Sequence, residues 1–391
     1  MARGSEAVAA GRVIGGKYEL VEPAGRGGMA TVWRATVSGA GGFQRTVAVK
    51  QMHPHLCEQP AYVDMFFEEA RVGAALNDAN IPQVYDCVED GGNYYIVMEW
   101  VEGIDLGSYI KYCAERGTKA RWELVTAVGI GMLRGLAAAH ERVTDDGKRA
   151  PIVHRDVSPH NVLLDVFGRV KLIDFGLSLA RDRGKDLTEP GVVKGKISYL
   201  SPGVVAGARP TPATDQFAAG TVLWEALVGR RLFDGATDFE VYKKMREAQI
   251  QPLRPLRPDV PKGLVAVVMR ALSANEADRY PSVREMARQL ALVLKEHRAR
   301  RDLHVQLGRE VVEARANLAI GRRTHDPADE TPIQDVESAQ LTPVEGAKPG
   351  QPQRRGLLHW LPWLGKAPRG ARDDGAGDAG VAASRARRRK K

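Results

Sequence analysis

The sequence has little cysteine. Cys57, Cys87 and Cys113 are the only three in 391 residues, and they form no CxxC spacing and no even set. That excludes a thiolate zinc site and a disulfide framework, and it fits a reducing compartment. Long apolar runs are also scarce. Read along the chain, no stretch reaches the ~18 apolar residues a spanning helix needs. The opening MARGSEAVAAGRVIGG has too short an apolar run for a signal peptide. The expectation is a soluble, cytoplasmic chain. Nor is there a strong charge bias outside the end of the sequence. The formal net charge is +9, but Arg385–Lys391 holds six basic residues and no acid, leaving +3 for everything else. The basic balance is a tail property and gives no sign of nucleic-acid binding in the folded part. What the chain does have is 43% apolar and 27% charged residues, enough for a real core in one large domain or two ordinary ones plus a tail.

The densest chemistry lies between His154 and Gly176, which reads HRDVSPHN, a short apolar run, then KLIDFG. Val162–Leu164 and Val170–Ile173 predict the two arms of a β-hairpin, with Phe167 and Gly168 near its turn. Such a hairpin returns Asp156, Asn161 and Asp174 to one end. A carboxylate and a carboxamide there suit a hard cation such as Mg2+ on a phosphate chain. A second carboxylate is left to orient and deprotonate a hydroxyl.

Upstream, Tyr18 begins a strand, glycine turn and strand, with Gly25, Gly27 and Gly28 in the turn. Such a turn can offer backbone N–H groups to phosphates, although alone it reads more readily as an ordinary hairpin loop. The strand RTVAVKQ puts Ala48 and Lys50 on one face. A helix predicted over about 61–76 carries an apolar stripe of Val63, Phe66, Phe67, Ala70, Ala74 and Leu76, with Glu68 and Glu69 inside it. Strands are predicted over 83–89 and 94–97. Later the period turns helical, over 122–142, 214–233, 264–272 and 282–295. Asp215, near the start of the second of these helices, is as readily a cap as anything else. From Gly176 to Pro202 the chain is polar, contains glycine and has little period.

Taken together, the two acidic motifs a hairpin apart resemble the signature set of protein kinases. Over about residues 18–297 the sequence looks like a bacterial Ser/Thr protein kinase of the eukaryotic-like, Hanks type. The resemblance implies an α+β, bilobal protein-kinase fold. A small β-rich N-lobe spans about 18–98, a hinge 99–101, and a larger, mainly helical C-lobe about 102–297. It implies ATP and Mg2+ as cofactors and protein Ser or Thr hydroxyls as acceptors. Gly25, Gly27 and Gly28 would cover the phosphates, with Ala30 where the family's third motif glycine stands. Val32 and Ala48 would line the adenine pocket, and Leu163 counts among the nucleotide contacts. Met98 would be the gatekeeper, Glu99 to Val101 would bond adenine through the backbone, and Asp105 would reach the ribose. Lys50, fixed by Glu69 rather than Glu68, would position the phosphates. Asn161 and Asp174 would hold the metal, and Asp156 would be the catalytic carboxylate. Arg155 would couple activity to a phosphate in the activation segment, for which Thr188 is the expected site. In the family Asp215 also binds backbone of the catalytic loop.

Two departures stand against the family pattern. Ser158 replaces the usual catalytic-loop lysine, and Gly203 replaces the glutamate that normally pairs with the arginine matching Arg279. The first suggests that Lys196 supplies the missing ammonium. The second predicts an Arg279 lacking its carboxylate. Both keep an alternative in view, a pseudokinase or scaffold with the fold and little catalysis. Residues 1–17 are expected to be a flexible N-terminus, and 298–323 a charged helical extension. Residues 324–391 are read as a linker, a short island at Leu357–Leu364 with two tryptophans, and a basic tail suited to a partner or a membrane surface.

Overall fold

A computed structural model describes residues 9–144, 146–175, 198–298 and 302–324. The N-terminal lobe is one antiparallel sheet with strand order β1-β2-β3-β4-β6-β5. Its members are β1 (Val13–Ile14), β2 (Tyr18–Arg26), β3 (Ala30–Ser38), β4 (Gln44–Met52), β5 (Val84–Asp90) and β6 (Asn93–Glu99). Alternation along β4 explains how the sheet is covered on both sides. Val47 and Val49 join Leu20, Trp33, Tyr95 and Val97 on one face. On the other face Met52 packs with Ile96 and with Phe66 and Ala70 of α2 (Pro60–Ala74). Lys50 points to that second face and is therefore buried beneath α2.

The C-terminal lobe is built on two apolar helices, α4 (Trp122–His140) and α6 (Pro212–Val228). After the hinge come β7 (Gly103–Asp105) and α3 (Leu106–Glu115), which packs into the C-lobe core, and beyond α4 come β8 (Val162–Asp165) and β9 (Val170–Leu172). Glycines in α4 let its neighbours close in. A Cβ at Gly129 would lie 2.6 Å from Leu223 of α6, and one at Gly131 would lie 2.7 Å from Val170 of β9. By length and composition α4 alone among the described residues suffices to cross a membrane, contrary to the reading of the sequence; 67% of that window is buried inside the fold. Its hydropathy is that of a helix surrounded by others. The helix expected over 214–233 starts earlier and stops sooner. Thr211 and Thr214 form a reciprocal capping box at its start, and Gly229, at φ 86°, ends it in the left-handed conformation.

The expected orphaning of Arg279 is not found. Its guanidinium is fully buried and donates to three backbone carbonyls, Ser273 at 2.8 Å, Ala213 at 2.8 Å and Ala274 at 3.2 Å. Glu276 stands 3.8 Å away as the nearest acid. Carbonyl oxygens of Ala213 at the start of α6 and of the loop at Ser273 and Ala274 have taken over from the missing glutamate. The predicted charged extension also differs from expectation. The helix α11 runs over Leu303–Thr324, and it buries Leu307, Val311 and Ala314 in the core of the C-terminal lobe.

Candidate active site

The site is framed by a small sheet, β7-β8-β9. Strand β9 returns along β8 with Val162 opposite Leu172, so Asn161 just before β8 and Asp174 just after β9 come to the same end. On the other edge β7 pairs with β8, Gly103 opposite Asp165 and Asp105 opposite Leu163. The segment leaving the hinge is thereby tied to the hairpin that carries the acidic groups. Gly103 is required there, because a Cβ would collide with the Leu164 carbonyl.

The HRD segment is held from below by α6. Asp215 is not the cap of that helix, which is Thr211. Its carboxylate is buried and accepts the backbone N–H of His154 at 2.7 Å and of Arg155 at 2.8 Å, and it lies 2.7 Å from His140 Nε2. Arg155 has φ 66° and Asp174 φ 65°, a region costly for residues with a Cβ. His154, wholly buried, spans the two. Its Nδ1 accepts the Asp156 N–H at 3.3 Å, which leaves the proton on Nε2, and Nε2 donates to the Ile173 carbonyl at 2.9 Å. Its ring rests 4.5 Å from that of Phe175. Asn161 donates through Nδ2 to the Asp156 carbonyl at 2.7 Å and toward its carboxylate at 3.3 Å.

Across the cleft, Lys50 forms a very short ion pair with Glu69 and bonds Asp174 at 2.8 Å. Glu68 instead meets Arg71 one turn along the outer face of α2. Burial works against the Lys50 ammonium, but Asp174 and Glu69 outweigh it, so its pKa lies well above that of an ordinary lysine. Lys50 therefore stays cationic at any working pH. Above it, Val32 pairs with Lys50 and Gly25 with Val32 in the register of β2, β3 and β4. A Cβ on Gly25 or Gly28 would enter open space. The turn thus leaves room for a phosphate chain under its backbone.

At the back of the cleft Met98 faces Ala48 across β4 and β6. Glu99 does more than the sequence suggested. Its side chain takes a 2.7 Å ion pair from Lys171 of β9, a buried lysine that also donates to the Ile81 carbonyl at 3.3 Å. Val101 follows in the connection, half-buried, and Leu163 is half-buried on β8. Asp105 caps α3 through Ser108 and lies 2.9 Å from His160 Nδ1. Burial opposes ionisation of Asp105, yet the bonds from His160 and Ser108 hold its carboxyl below the usual range. Lys171 and His160 escaped the sequence reading, and His154 was read only as part of the motif, without a role. A lysine in the middle of an apolar strand was the available signal for the first. Gly176, Thr188 and Lys196 lie outside the described residues, as does the tail from residue 325 onward.

Asp174 and Asn161 present only hard oxygen ligands at the mouth of the site, and the Asn161 nitrogen is turned to Asp156. This donor chemistry fits a divalent cation of the Mg2+, Mn2+ or Ca2+ kind carried on phosphate oxygens. Among the described residues no cluster of three or more His, Cys, Asp or Glu side chains exists that would hold a transition metal by itself.

Comparison with known proteins agrees with this geometry. The chain is 38% identical over 282 residues to the tyrosine-protein kinase MasK of Myxococcus xanthus, covering 72% of this chain and 44% of MasK. It is 31% identical over 276 residues to the serine/threonine-protein kinase PrkC of Bacillus subtilis, covering 71% and 40%. It is 33% identical over 277 residues to the serine/threonine-protein kinase PknA of Mycobacterium tuberculosis, covering 70% and 60%. The chain thus spans less than two thirds of the length of these relatives. Among solved structures, the kinase domain of PknI from Mycobacterium tuberculosis matches with a TM-score of 0.54 at 28% identity, over 73% of this chain and 99% of that one. The family model for the protein kinase domain matches residues 18–290. With the fold, the paired acidic motifs and this match in agreement, the chain belongs to the protein kinase family.

Proposed function

We propose that the chain transfers the γ-phosphoryl group of ATP to serine and threonine hydroxyls of proteins, with Mg2+ as the divalent ion. The observation that carries this reading is the convergence of Lys50 and Glu69 from one side of the cleft and Asp156, Asn161 and Asp174 from the other, with Lys50 bonded to Asp174 across it. Lys50, fixed by Glu69, holds the phosphates, and the glycine turn closes over them. Asp156 accepts the proton of the incoming hydroxyl, and Asn161 keeps its carboxylate oriented. Asp174 and Asn161 would hold the divalent ion, which would supply positive charge to the phosphate oxygens. The presence of every one of these groups speaks against the pseudokinase alternative.

The test is incorporation of labelled phosphate from ATP into protein. Asp156→Asn should lower incorporation at least a thousandfold while leaving the melting temperature within about 1 °C, a barrier rise of about 4 kcal/mol. Retention of most activity would remove Asp156 from its role. Phosphoamino-acid analysis decides the acceptor. Tyrosine is the second reading, favoured by the similarity to MasK. Regulation through Thr188 and Arg155, and contact of the Leu357–Leu364 island with a partner or membrane surface, are further parts of the proposal. The three cysteines, free in the fold, support a reducing, cytoplasmic setting.

A further inference from the structure

The family match ends at residue 290, yet residues beyond it pack against the segment that leaves the hinge. Helix α11 lies across β7, β8, α3 and α4. Leu307, Val311 and Ala314 form its buried stripe, at spacings of four and three, and are 0–1% exposed. Polar contacts flank the stripe on either side. Glu310 takes a very short bond from the Tyr109 hydroxyl of α3, Gln306 accepts from Arg121 at 3.0 Å, and Arg315 forms a close ion pair with Glu102.

Two glycines make the contact tighter than side chains would allow. Gly308, in the middle of α11, presses on the turn between β8 and β9, where its Cβ would lie 2.5 Å from the Val166 carbonyl oxygen. Gly168 in that turn has φ 76°, and a Cβ there would collide with the backbone of His304. Glycine inside a helix costs about 1 kcal/mol relative to alanine, so close approach is the feature it serves here. The helix therefore grips the two strands that set the site. Glu102 directly follows the hinge, and its carbonyl accepts the Val166 N–H at 2.9 Å. Val166 in turn lies in the hairpin whose other end holds Asn161 and Asp174.

We infer that α11 is a positioning element of the nucleotide site: through Gly308 on the Val166 turn and Arg315 on Glu102 it fixes the hinge exit against the hairpin that carries the metal-binding groups. The inference rests on the reading of this cleft as an ATP site and deepens it. A helix that only adds core would influence stability and nothing else. One that positions the hinge must also alter adenine binding.

The experiment uses the full chain and the variants Gly308→Val and Arg315→Ala. Two measurements are made, hydrogen exchange of hinge amides 99–105 without nucleotide, and titration with a fluorescent ATP analogue in Mg2+. Gly308→Val should speed hinge exchange at least tenfold and weaken nucleotide binding at least fivefold. KM for ATP should rise in step while kcat stays within twofold. Arg315→Ala, which leaves the buried stripe intact, should weaken binding about twofold, and the exchange Arg315→Glu with Glu102→Arg should restore it. If both variants leave hinge exchange and analogue affinity at the parent values while only the melting temperature or the α11 amides change, the helix is packing alone and the inference is overturned. A parent chain that binds no analogue defeats the ATP reading instead, and hinge exchange then still decides the role of α11.

Discussion

Arg279 shows how a residue can lose its usual partner and keep its place. The sequence pairs a glycine at position 203 with a buried arginine and so predicts a vacancy. In the fold the guanidinium donates to carbonyls at Ser273, Ala213 and Ala274, which the chain brings together where α6 begins. A glutamate introduced at Gly203 has little left to gain. A Cβ there would meet nothing closer than Ala208 at 3.8 Å, so the change is sterically easy. Gly203→Glu should therefore leave the unfolding free energy from urea titration within the scatter of a surface substitution, about ±0.5 kcal/mol. Arg279→Met should cost about 3 kcal/mol or more, because three buried acceptors lose their donor together. A large gain from Gly203→Glu would mean that the carbonyls are poor substitutes. The pairing of Lys50 with Glu69 over Glu68 was legible only through the family resemblance, which singles out the glutamate directly before Ala70; in the fold Glu69 meets Lys50 and Glu68 meets Arg71. Thr211 as the cap of α6 was not. Asp215 looked as good a candidate, and only the placement of the His154 and Arg155 amides decides where its carboxylate goes.

At the scale of the element, periodicity found most strands and helices to within a few residues, while their ends were set by local chemistry it could not see. The hairpin of β8 and β9 follows from two short apolar runs on either side of Phe167 and Gly168. The strand β7 left no such signal. It has three residues, and it exists because Gly103 lets the chain after the hinge come against Leu164. Gly103→Ala should break that pairing. Overpacking typically costs about 1–3 kcal/mol, and the clash is with backbone that cannot rotate away, so the upper end is expected. Thermal melts with and without the ATP analogue would check it: the variant should lose stability and also part of the stabilisation that nucleotide confers. Equal nucleotide stabilisation in both proteins would separate β7 from the site. Helix α11 was legible as a helix and illegible as part of the core, since Leu307, Val311 and Ala314 are a sparse stripe among many charges.

On the scale of the molecule, the boundary of the folded body lies later than the family motifs indicate. Among the described residues, buried core positions continue through Ala314 of α11, well past residue 290 where the family match ends. A chain ended at Gly350 should keep its melting temperature and its transfer of phosphate to a generic acceptor. One ended at Arg298 would lose the fully buried Leu307 and Val311. At about 1.5–3 kcal/mol for each such side chain, the loss is a large part of a typical net stability. Such a protein should melt at least several degrees lower or fail to accumulate in soluble form. A melting temperature equal to that of the full chain would show that the C-terminal lobe closes over the gap.

The two glycines that let α11 meet the β8–β9 turn also invert a common rule of protein engineering. A scan for better helix formers would choose Gly308→Ala early, since alanine is the favoured helical residue and glycine among the worst. Judged by the helix alone that exchange is a gain. Judged with the Val166 carbonyl 2.5 Å from the added carbon, it wedges the helix from its seat. Thermostabilisation of this protein by local propensity would thus begin by loosening the joint beside its hinge.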